Sequence, residues 1–526
     1  MVNEPDTDWS HPANADWAQA ILDRWQSKFD EGPVQIPLMI GSDQVDGKTT
    51  VSKNDPSRPE VVVSEANTAS LQDVQRAVEI ASEDRSGWGS STVDHRHDVL
   101  RKVAQNLRER RGDLIGAMVA DGGKTVGQAD PEVSEAIDFC EFYPLSAKAW
   151  MGEPTIEVKP RGVVAVISPW NFPLAIPCGG IAASLSAGNT VILKPASQTI
   201  LTAQVLCHAF WDAGVPRDVL QLVPCPGKTA ELGLVANEKV DTVILTGGTS
   251  TAKRMLAVRP DLHLLAETGG KNATIVTAMA DRDQAIKNVI YSAFGHSGQK
   301  CSATSLLLLE DEVFNDEKFR ETLADAVESI RVGSAWDLSS KMGPLISPPG
   351  EELIRGMKTL EGDESWLVVP EHVVGNPNLY RPGVKWNIKS GSFAHKTELF
   401  GPILGVMKFS RLEEAIEIVR STGYGLTSGL ESLDVREIEL WKQSIGAGNL
   451  YINRPTTGAI VLRQPFGGVG LSAYGPGVKA GGPNYVLALM KVNDGRPNSN
   501  ESTAPHDELD RLQSWVEVFA ATDVMP

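Results

Sequence analysis

From Gly162 onward the 526-residue chain alternates apolar runs of strand length with helical patterns at short intervals. The runs fall at residues 163–167, 190–193, 220–223 and 240–245, each followed by a helical stretch. Consecutive strands joined through helices run parallel, with helices on both faces of the sheet, so this pattern predicts an α/β fold. The style resumes from residue 273 to about 408. A strand at 449–453, a glycine-rich stretch and a late strand at 485–492 complete it. Ahead of Gly162 the chain reads as helical at 14–29, through 70–120 with Leu71, Val74, Ala77, Val78 and Ile80 on one face, at 97–110 and at 130–150. A strand-turn-strand reading fits 37–51, a short β-like stretch 155–159, and the polar tail ends in a helical pattern at 507–520. This length predicts two or more domains with a large core.

A net charge of -18 argues against nucleic acid or an anionic membrane surface as the main partner. Hydrophobic content of 41% and charged content of 22% are those of a globular protein. No apolar stretch approaches the length of a membrane span, and the start lacks the basic and apolar segments of a signal peptide. The cysteines, 5 in all, are scattered without metal-ligand spacing. That usage predicts a reduced, cytoplasmic protein with no metal site.

The residues suited to chemistry lie at the ends of these elements. Gly298-Gln299-Lys300-Cys301-Ser302 is a small polar loop between a helical pattern at 283–294 and an apolar run at 305–309. Asp281 and Gln284 offer a capping box at that helix's start. A thiol in such a loop can face a cleft as a nucleophile, or pack as a small hydrophobe. Ser168-Pro169-Trp170-Asn171 follows the first strand directly, where parallel sheets bind ligands. Asn171 there is either an amide donor for developing negative charge or part of a proline-framed turn. Lys194 ends the next strand, placed for ribose hydroxyls or for solvent. Thr246-Gly247-Gly248-Thr249 ends a strand and opens a helix, which lets amides approach a pyrophosphate without the Gly-x-Gly-x-x-Gly fingerprint. Glu267 and Glu398 are each candidates for general base work or for surface ion pairs. Gly123-Lys124-Thr125 and Gly227-Lys228-Thr229 resemble P-loop ends, but the glycine needed upstream is Met118 in one and Leu222 in the other. An NTPase is excluded.

In this order, over about residues 37–492, these stretches resemble the aldehyde dehydrogenase superfamily. The resemblance implies a Rossmann-type cofactor domain (1–150 and 160–270) and an α/β catalytic domain (271–470). A small β oligomerisation arm (151–159 and 484–493) and a C-terminal tail (494–526) would complete the chain. It implies Cys301 as nucleophile, Asn171 as oxyanion amide and Glu267 as general base. The cofactor would meet Ile167, Ser168, Pro169, Trp170, Lys194, Ser197, Gly247, Gly248, Thr249, Glu398 and Phe400. The stretches at 457–468 and 479–483, with Gln299-Lys300-Cys301-Ser302, narrow the resemblance to Δ1-pyrroline-5-carboxylate (L-glutamate-γ-semialdehyde) dehydrogenases. There Gly458 and Ala459 would bind the substrate carboxylate, helped by Ser302, with Lys300 beside them and Phe466 along the aliphatic part.

The implied reaction is NAD(P)-dependent oxidation of that semialdehyde to glutamate in a homo-oligomer. Ser197 stands where the superfamily often has glutamate, so NADP is admissible beside NAD. The first residues resemble the segment ahead of this domain in bifunctional proline-utilisation enzymes, which points to a link with a proline dehydrogenase domain or protein. Rival readings are a dehydrogenase for another semialdehyde, such as succinate semialdehyde, and a silent oligomeric scaffold.

Overall fold

The computed structural model describes residues 1–45 and 49–495. Val163–Ile167 is buried at every position because both faces of its sheet are covered. Alternate residues serve different cores. Val164 and Val166 join the N-terminal helices, while Val163, Ala165 and Ile167 join a cluster with Val243 and Leu245. To one side of this strand lie Thr190–Lys194 and then Leu220–Leu222; to the other lie Val240–Thr246 and Leu264–Glu267. All of these pair in parallel, and Ala473–Tyr474 closes the last edge antiparallel. The strand order reverses between Val163–Ile167 and Val240–Thr246. Their carboxyl ends therefore open a crevice where Ile167 is flanked by Lys194 and Leu245.

Residues 268–272 carry the chain from the carboxyl end of this sheet to the amino end of Ala273–Val276 in a second, 7-stranded sheet. There Ala273–Val276 lies between Leu306–Glu310 and Thr427–Glu431, both parallel to it. The loop holding Cys301 leads into Leu306–Glu310, so it sits at the amino edge of the second sheet, against the carboxyl edge of the first. Helix Arg282–Phe294 starts on Asp281, whose carboxylate accepts the Gln284 amide at 3.0 Å; only that half of the expected capping box forms among the described residues.

Pro12–Lys28, Leu71–Glu83, Val93–Glu109, Arg111–Gly122 and Val126–Met151 form the N-terminal helices. Val74, Ala77 and Val78 are buried as the periodicity requires, whereas Leu71, at the first helical position, is 38% exposed. The short strands Leu38–Ile40 and Asp43–Val45 pair antiparallel, as the strand-turn-strand reading expects. The late strand is shorter than its apolar run. A helical turn, Leu487–Leu489, comes first, and only Met490–Asp494 extends, antiparallel to Ile156–Pro160. The helix expected at 507–520 lies outside the described residues.

Candidate active site

Two residues in the left-handed region, His296 (φ 52°) and Ser297 (φ 56°), turn the chain out of its helix toward Cys301. Gly298 follows at φ +70°, and a Cβ there would lie 2.2 Å from the Gly401 carbonyl oxygen. Glycine is thus required twice over, by its dihedral and by the backbone it touches. Gln299 locks the turn: its side-chain amide donates to the His296 carbonyl at 3.0 Å, and its oxygen accepts the Ile346 amide at 3.0 Å. Asn272 donates to the carbonyls of Cys301 at 2.6 Å and Ala303 at 3.0 Å. The thiol is thereby held at the junction of the two sheets.

Cys301, Lys300, Ser302, Glu267, Gly458, Ala459 and Phe466 line one cavity. Burial, with Glu398 and Glu267 adding repulsion, pushes the Cys301 thiol up to about 12, so it rests protonated. Burial also raises Glu267 to about 8, against the pull of the Gly468 amide, which donates to its carboxylate at 3.1 Å, and of Lys479. Lys300 is lowered to about 7 by burial first and by Lys124 second. A carboxyl poised near neutrality beside a thiol is the arrangement proton transfer requires.

The Ser302 hydroxyl and the amides of Gly458 and Ala459 make no hydrogen bond among the described residues, so the cavity presents unspent donors. Gly458 has φ +88°, and nothing lies within 4 Å of where a Cβ would sit. Its glycine serves the dihedral, and the space beside it is open to the cavity. Phe466 exchanges 2.8 Å backbone hydrogen bonds with Ala480, and Leu462 donates to Gly481 at 2.8 Å, so this loop is braced from one side.

Asn171 lies behind the cavity, 4% exposed, and its side-chain amide donates to the Gln299 carbonyl at 3.1 Å. Its backbone carbonyl accepts from Lys124 at 2.9 Å. Lys124 in turn pairs with Glu132 at 2.6 Å, and the other oxygen of Glu132 accepts the amides of Leu174 at 2.7 Å and Ala175 at 3.0 Å. The Asn171 turn is therefore held by a buried ion pair. Lys124 belongs to the Gly-Lys-Thr triplet rejected as a P-loop; nothing in its sequence context indicates this role.

The remaining candidates gather at the crevice. Ser168 donates its amide to the Lys194 carbonyl at 3.1 Å, tying the turn 168–171 to the next strand. Burial lowers the Lys194 ammonium, which has no hydrogen-bond or ion-pair partner among the described residues. Gly248 caps helix Thr249–Val258, and a Cβ on it would meet nothing closer than 3.8 Å. The amide of Gly247 is spent on the Glu267 carbonyl at 3.1 Å, and the Thr249 hydroxyl on Leu471 at 3.1 Å. Trp170 and Phe400 meet edge to face at 5.5 Å across the junction. Glu398 accepts the Gly270 amide at 2.7 Å; burial raises its carboxyl to about 7, with that amide and Lys271 opposing. Ser197 is exposed and carries no charge. An unpaired ammonium at a strand end beside an open helix N-terminus fits the ribose and pyrophosphate of a dinucleotide.

The curated relatives include a bifunctional protein PutA of Salmonella typhimurium, 36% identical over 90% of this chain and 36% of that protein. A 1-pyrroline-5-carboxylate dehydrogenase of Geobacillus sp. is 31% identical over 93% of this chain and 98% of its own length. Among solved structures, 1-pyrroline-5-carboxylate dehydrogenase from Thermus with bound NAD superposes with a TM-score of 0.86, at 30% identity, over 94% of this chain and 98% of that one. The chain thus spans about a third of the bifunctional relative and nearly all of the monofunctional ones. Among the described residues no helix is long and apolar enough to cross a membrane. The profile of the aldehyde dehydrogenase family matches residues 44–494, and the chain belongs to that family.

Proposed function

We propose that the chain oxidises L-glutamate-γ-semialdehyde, the open form of Δ1-pyrroline-5-carboxylate, to L-glutamate with NAD(P) in proline catabolism. The observation that carries this reading is the sharing of one cavity by the Cys301 thiol, the Glu267 carboxyl and the unspent donors of Ser302, Gly458 and Ala459. Relatives named for this activity, at about 30% identity over most of the chain, support it.

Cys301 Sγ releases its proton to solvent and attacks the aldehyde carbon, the C=O π pair moving onto oxygen as the carbon–sulfur bond forms. The second N–H of the Asn171 amide and the Cys301 backbone N–H hold the resulting oxyanion. A nicotinamide cofactor held at the crevice would supply the acceptor for the hydride that leaves this carbon. Glu267 then takes a proton from the water that hydrolyses the Cys301 thioester, releasing the new carboxylate. Lys300 lies next to the nucleophile, and Phe466 flanks the aliphatic part of the substrate. Gly458, Ala459 and Ser302 bind its existing carboxylate, which sets chain length by distance from the sulfur.

Residues 1–150 and 160–270 serve the cofactor, 271–470 the chemistry, and the segments 151–159 and 484–493, which hold most of the paired strands Ile156–Pro160 and Met490–Asp494, an oligomeric contact. Lys194 faces the adenosine ribose and Glu398 the nicotinamide ribose, with Phe400 near the ring. Ile167, Ser168, Pro169 and Trp170 wall the crevice, and Gly247, Gly248 and Thr249 lead into the pyrophosphate helix. NAD is the expected cofactor, in line with the NAD bound by the Thermus relative. Ser197 places no negative charge against a 2′-phosphate, so NADP is accepted as well. The bifunctional relatives point to a proline dehydrogenase domain or protein as the source of substrate. Initial rates of nicotinamide reduction across glutamate, succinate and simple aldehydes, with each cofactor, test this reading. Preference for succinate semialdehyde would redirect it, and no reduction with any aldehyde would leave a silent scaffold.

A further inference from the structure

The loop that carries Gly458 and Ala459 follows strand Asn449–Ile452 and is anchored at its entry by Thr456. The Thr456 amide donates to the Ser292 hydroxyl at 3.0 Å, and Ser292 spends its own proton on the Asn288 carbonyl at 2.6 Å within helix Arg282–Phe294. The Thr456 hydroxyl donates to the Ser302 carbonyl at 3.1 Å. Behind it stand the hydroxyls of Thr304, at 3.0 Å, and then Thr274, at 2.9 Å from Thr304. Each hydroxyl has one proton to give, and Thr456 has given its own to a carbonyl. Thr304 therefore donates to Thr456, and Thr274 to Thr304, so the ladder runs in one direction. All three threonines are buried.

The ladder rises from the middle of the second sheet, where Thr274 lies opposite Gly429 of the neighbouring strand. A Cβ on Gly429 would sit 2.9 Å from the Thr456 methyl and 3.0 Å from the Thr274 hydroxyl, so glycine leaves the ladder its room. Thr427 adds a longer bond to the Ser302 carbonyl at 3.3 Å. A buried chain of hydroxyls is stiff when each member is satisfied, because each bond polarises the next and no water replaces one that breaks. Ser302 follows the nucleophile directly, and Gly458 lies two residues beyond Thr456. The bond from Thr456 to Ser302 thus ties the nucleophile loop to the loop whose amides are unspent. The exit of that second loop is held at Leu462 by Gly481, not by the nucleophile loop.

We propose that Thr456 is a positioning residue whose hydroxyl sets the distance from the Cys301 sulfur to the donors of Gly458 and Ala459, and with it the chain length of the semialdehyde that reacts. This rests on the function proposed above and adds to it the part that measures length. Thr456 is not among the residues lining the cavity; it acts through the two loops that are. A semialdehyde held by its carboxylate reacts only when its aldehyde carbon meets Sγ, and a misplacement of about 1 Å can cost about a hundredfold in rate. Releasing the ladder lets the carboxylate loop shift against the sulfur, so the loss falls on the chemical step more than on binding.

The test is a series of aldehydes with a carboxylate at the far end, 4-oxobutanoate, 5-oxopentanoate and 6-oxohexanoate, with propanal as the member that lacks one. Wild type should favour 5-oxopentanoate, which matches glutamate semialdehyde in length. Thr456→Val keeps the shape and removes the hydroxyl. It should lower kcat/KM for 5-oxopentanoate about tenfold, mostly through kcat, and cut its lead over both neighbours about fivefold or more. Thr456→Ser keeps the hydroxyl and should keep the lead; loss of the lead in a folded Thr456→Ser would count against the proposal. Thr304→Val removes the donor behind Thr456 and should flatten the series in smaller measure, which supplies the test if Thr456→Val does not fold. An unchanged lead in either valine variant, or a fall by one factor for all four aldehydes, would overturn the proposal. A wild type that prefers no carboxylate-bearing aldehyde to propanal would instead overturn the proposed function, so the two failures are separable.

Discussion

The Lys124 ammonium sits 2.6 Å from Glu132 in a fully buried ion pair, and the same ammonium reaches the Asn171 carbonyl at 2.9 Å. Every charge in this group is matched, and the Phe172 ring stacks under the ammonium at 4.2 Å. Removing one partner of such a pair leaves the other buried and alone, at a cost of about 3–5 kcal/mol. Glu132→Ala should therefore lower the urea midpoint, with the orphaned Leu174 and Ala175 amides adding to the loss. Lys124→Met with Glu132→Gln removes both charges and keeps an acceptor for those amides. It should recover most of the stability while leaving the Asn171 turn less well held. A single variant as stable as wild type would show that the pair contributes nothing to the fold.

Glu267 titrates near 8 because burial disfavours its charged form. Its basic form is needed to activate water, so thioester hydrolysis should rise with pH below about 8 and level off above it. Glu267→Gln should slow hydrolysis more than acylation, giving a burst of reduced cofactor and then slow turnover, with that pH dependence lost. Stopped-flow absorbance at several pH values reads both effects. A parallel fall in burst and steady state would move Glu267 to an earlier step, onto the thiol itself.

The parallel sheets are legible in the sequence because strands covered on both faces must be apolar throughout, as in Val163–Ile167 and Leu306–Leu309. As candidates, Asn171 is legible just after such a run, Glu267 at the end of a strand and Cys301 in the loop ahead of the next run. What brings Lys124 to the Asn171 carbonyl, or Asn272 to the Cys301 carbonyl, is packing between segments 47 and 29 residues apart in the chain, which periodicity cannot register. The late strand reads too long because residues 485–489 are apolar for a different reason. Tyr485, Val486 and Leu489 pack into the large N-terminal core from a helical turn, so burial there does not signal a strand.

Ile156–Pro160 and Met490–Asp494 form a 2-stranded ribbon separate from both main sheets. Such a ribbon is marginal on its own, and each of its outer edges offers unpaired backbone groups. Val492 on it is 47% exposed. A second subunit covering this edge would satisfy both, so the chain should sediment as a homo-oligomer at micromolar concentration. Charged substitution at Val492 should shift the distribution toward smaller species. Only monomer at every concentration would leave the ribbon without this role.

On the proposed function, substrate choice turns on Ser302 and Gly458, which line one cavity from two separate loops. Ser302→Ala removes a hydroxyl and leaves the amides of Gly458 and Ala459, so glutamate semialdehyde should lose about 1.5 kcal/mol in kcat/KM, roughly tenfold, as for one hydrogen bond to a charged group. Propanal carries no carboxylate and should lose little. Gly458 is different in kind. A Cβ there would meet open space, but φ +88° is a conformation side chains with a Cβ rarely adopt. Gly458→Ala should thus strain or shift the loop by about 1–3 kcal/mol. Gly458→Val, β-branched, should cost more than either Ser302→Ala or Gly458→Ala. Because the strain acts on the loop and not on a contact with the aldehyde, the loss should again fall on the carboxylate-bearing substrate and spare propanal. The ratio of kcat/KM for the two aldehydes, in wild type, Ser302→Ala and Gly458→Ala, decides the matter. A ratio unchanged by Ser302→Ala would remove Ser302 from carboxylate recognition, and one unchanged by Gly458→Ala would remove the 458–459 loop.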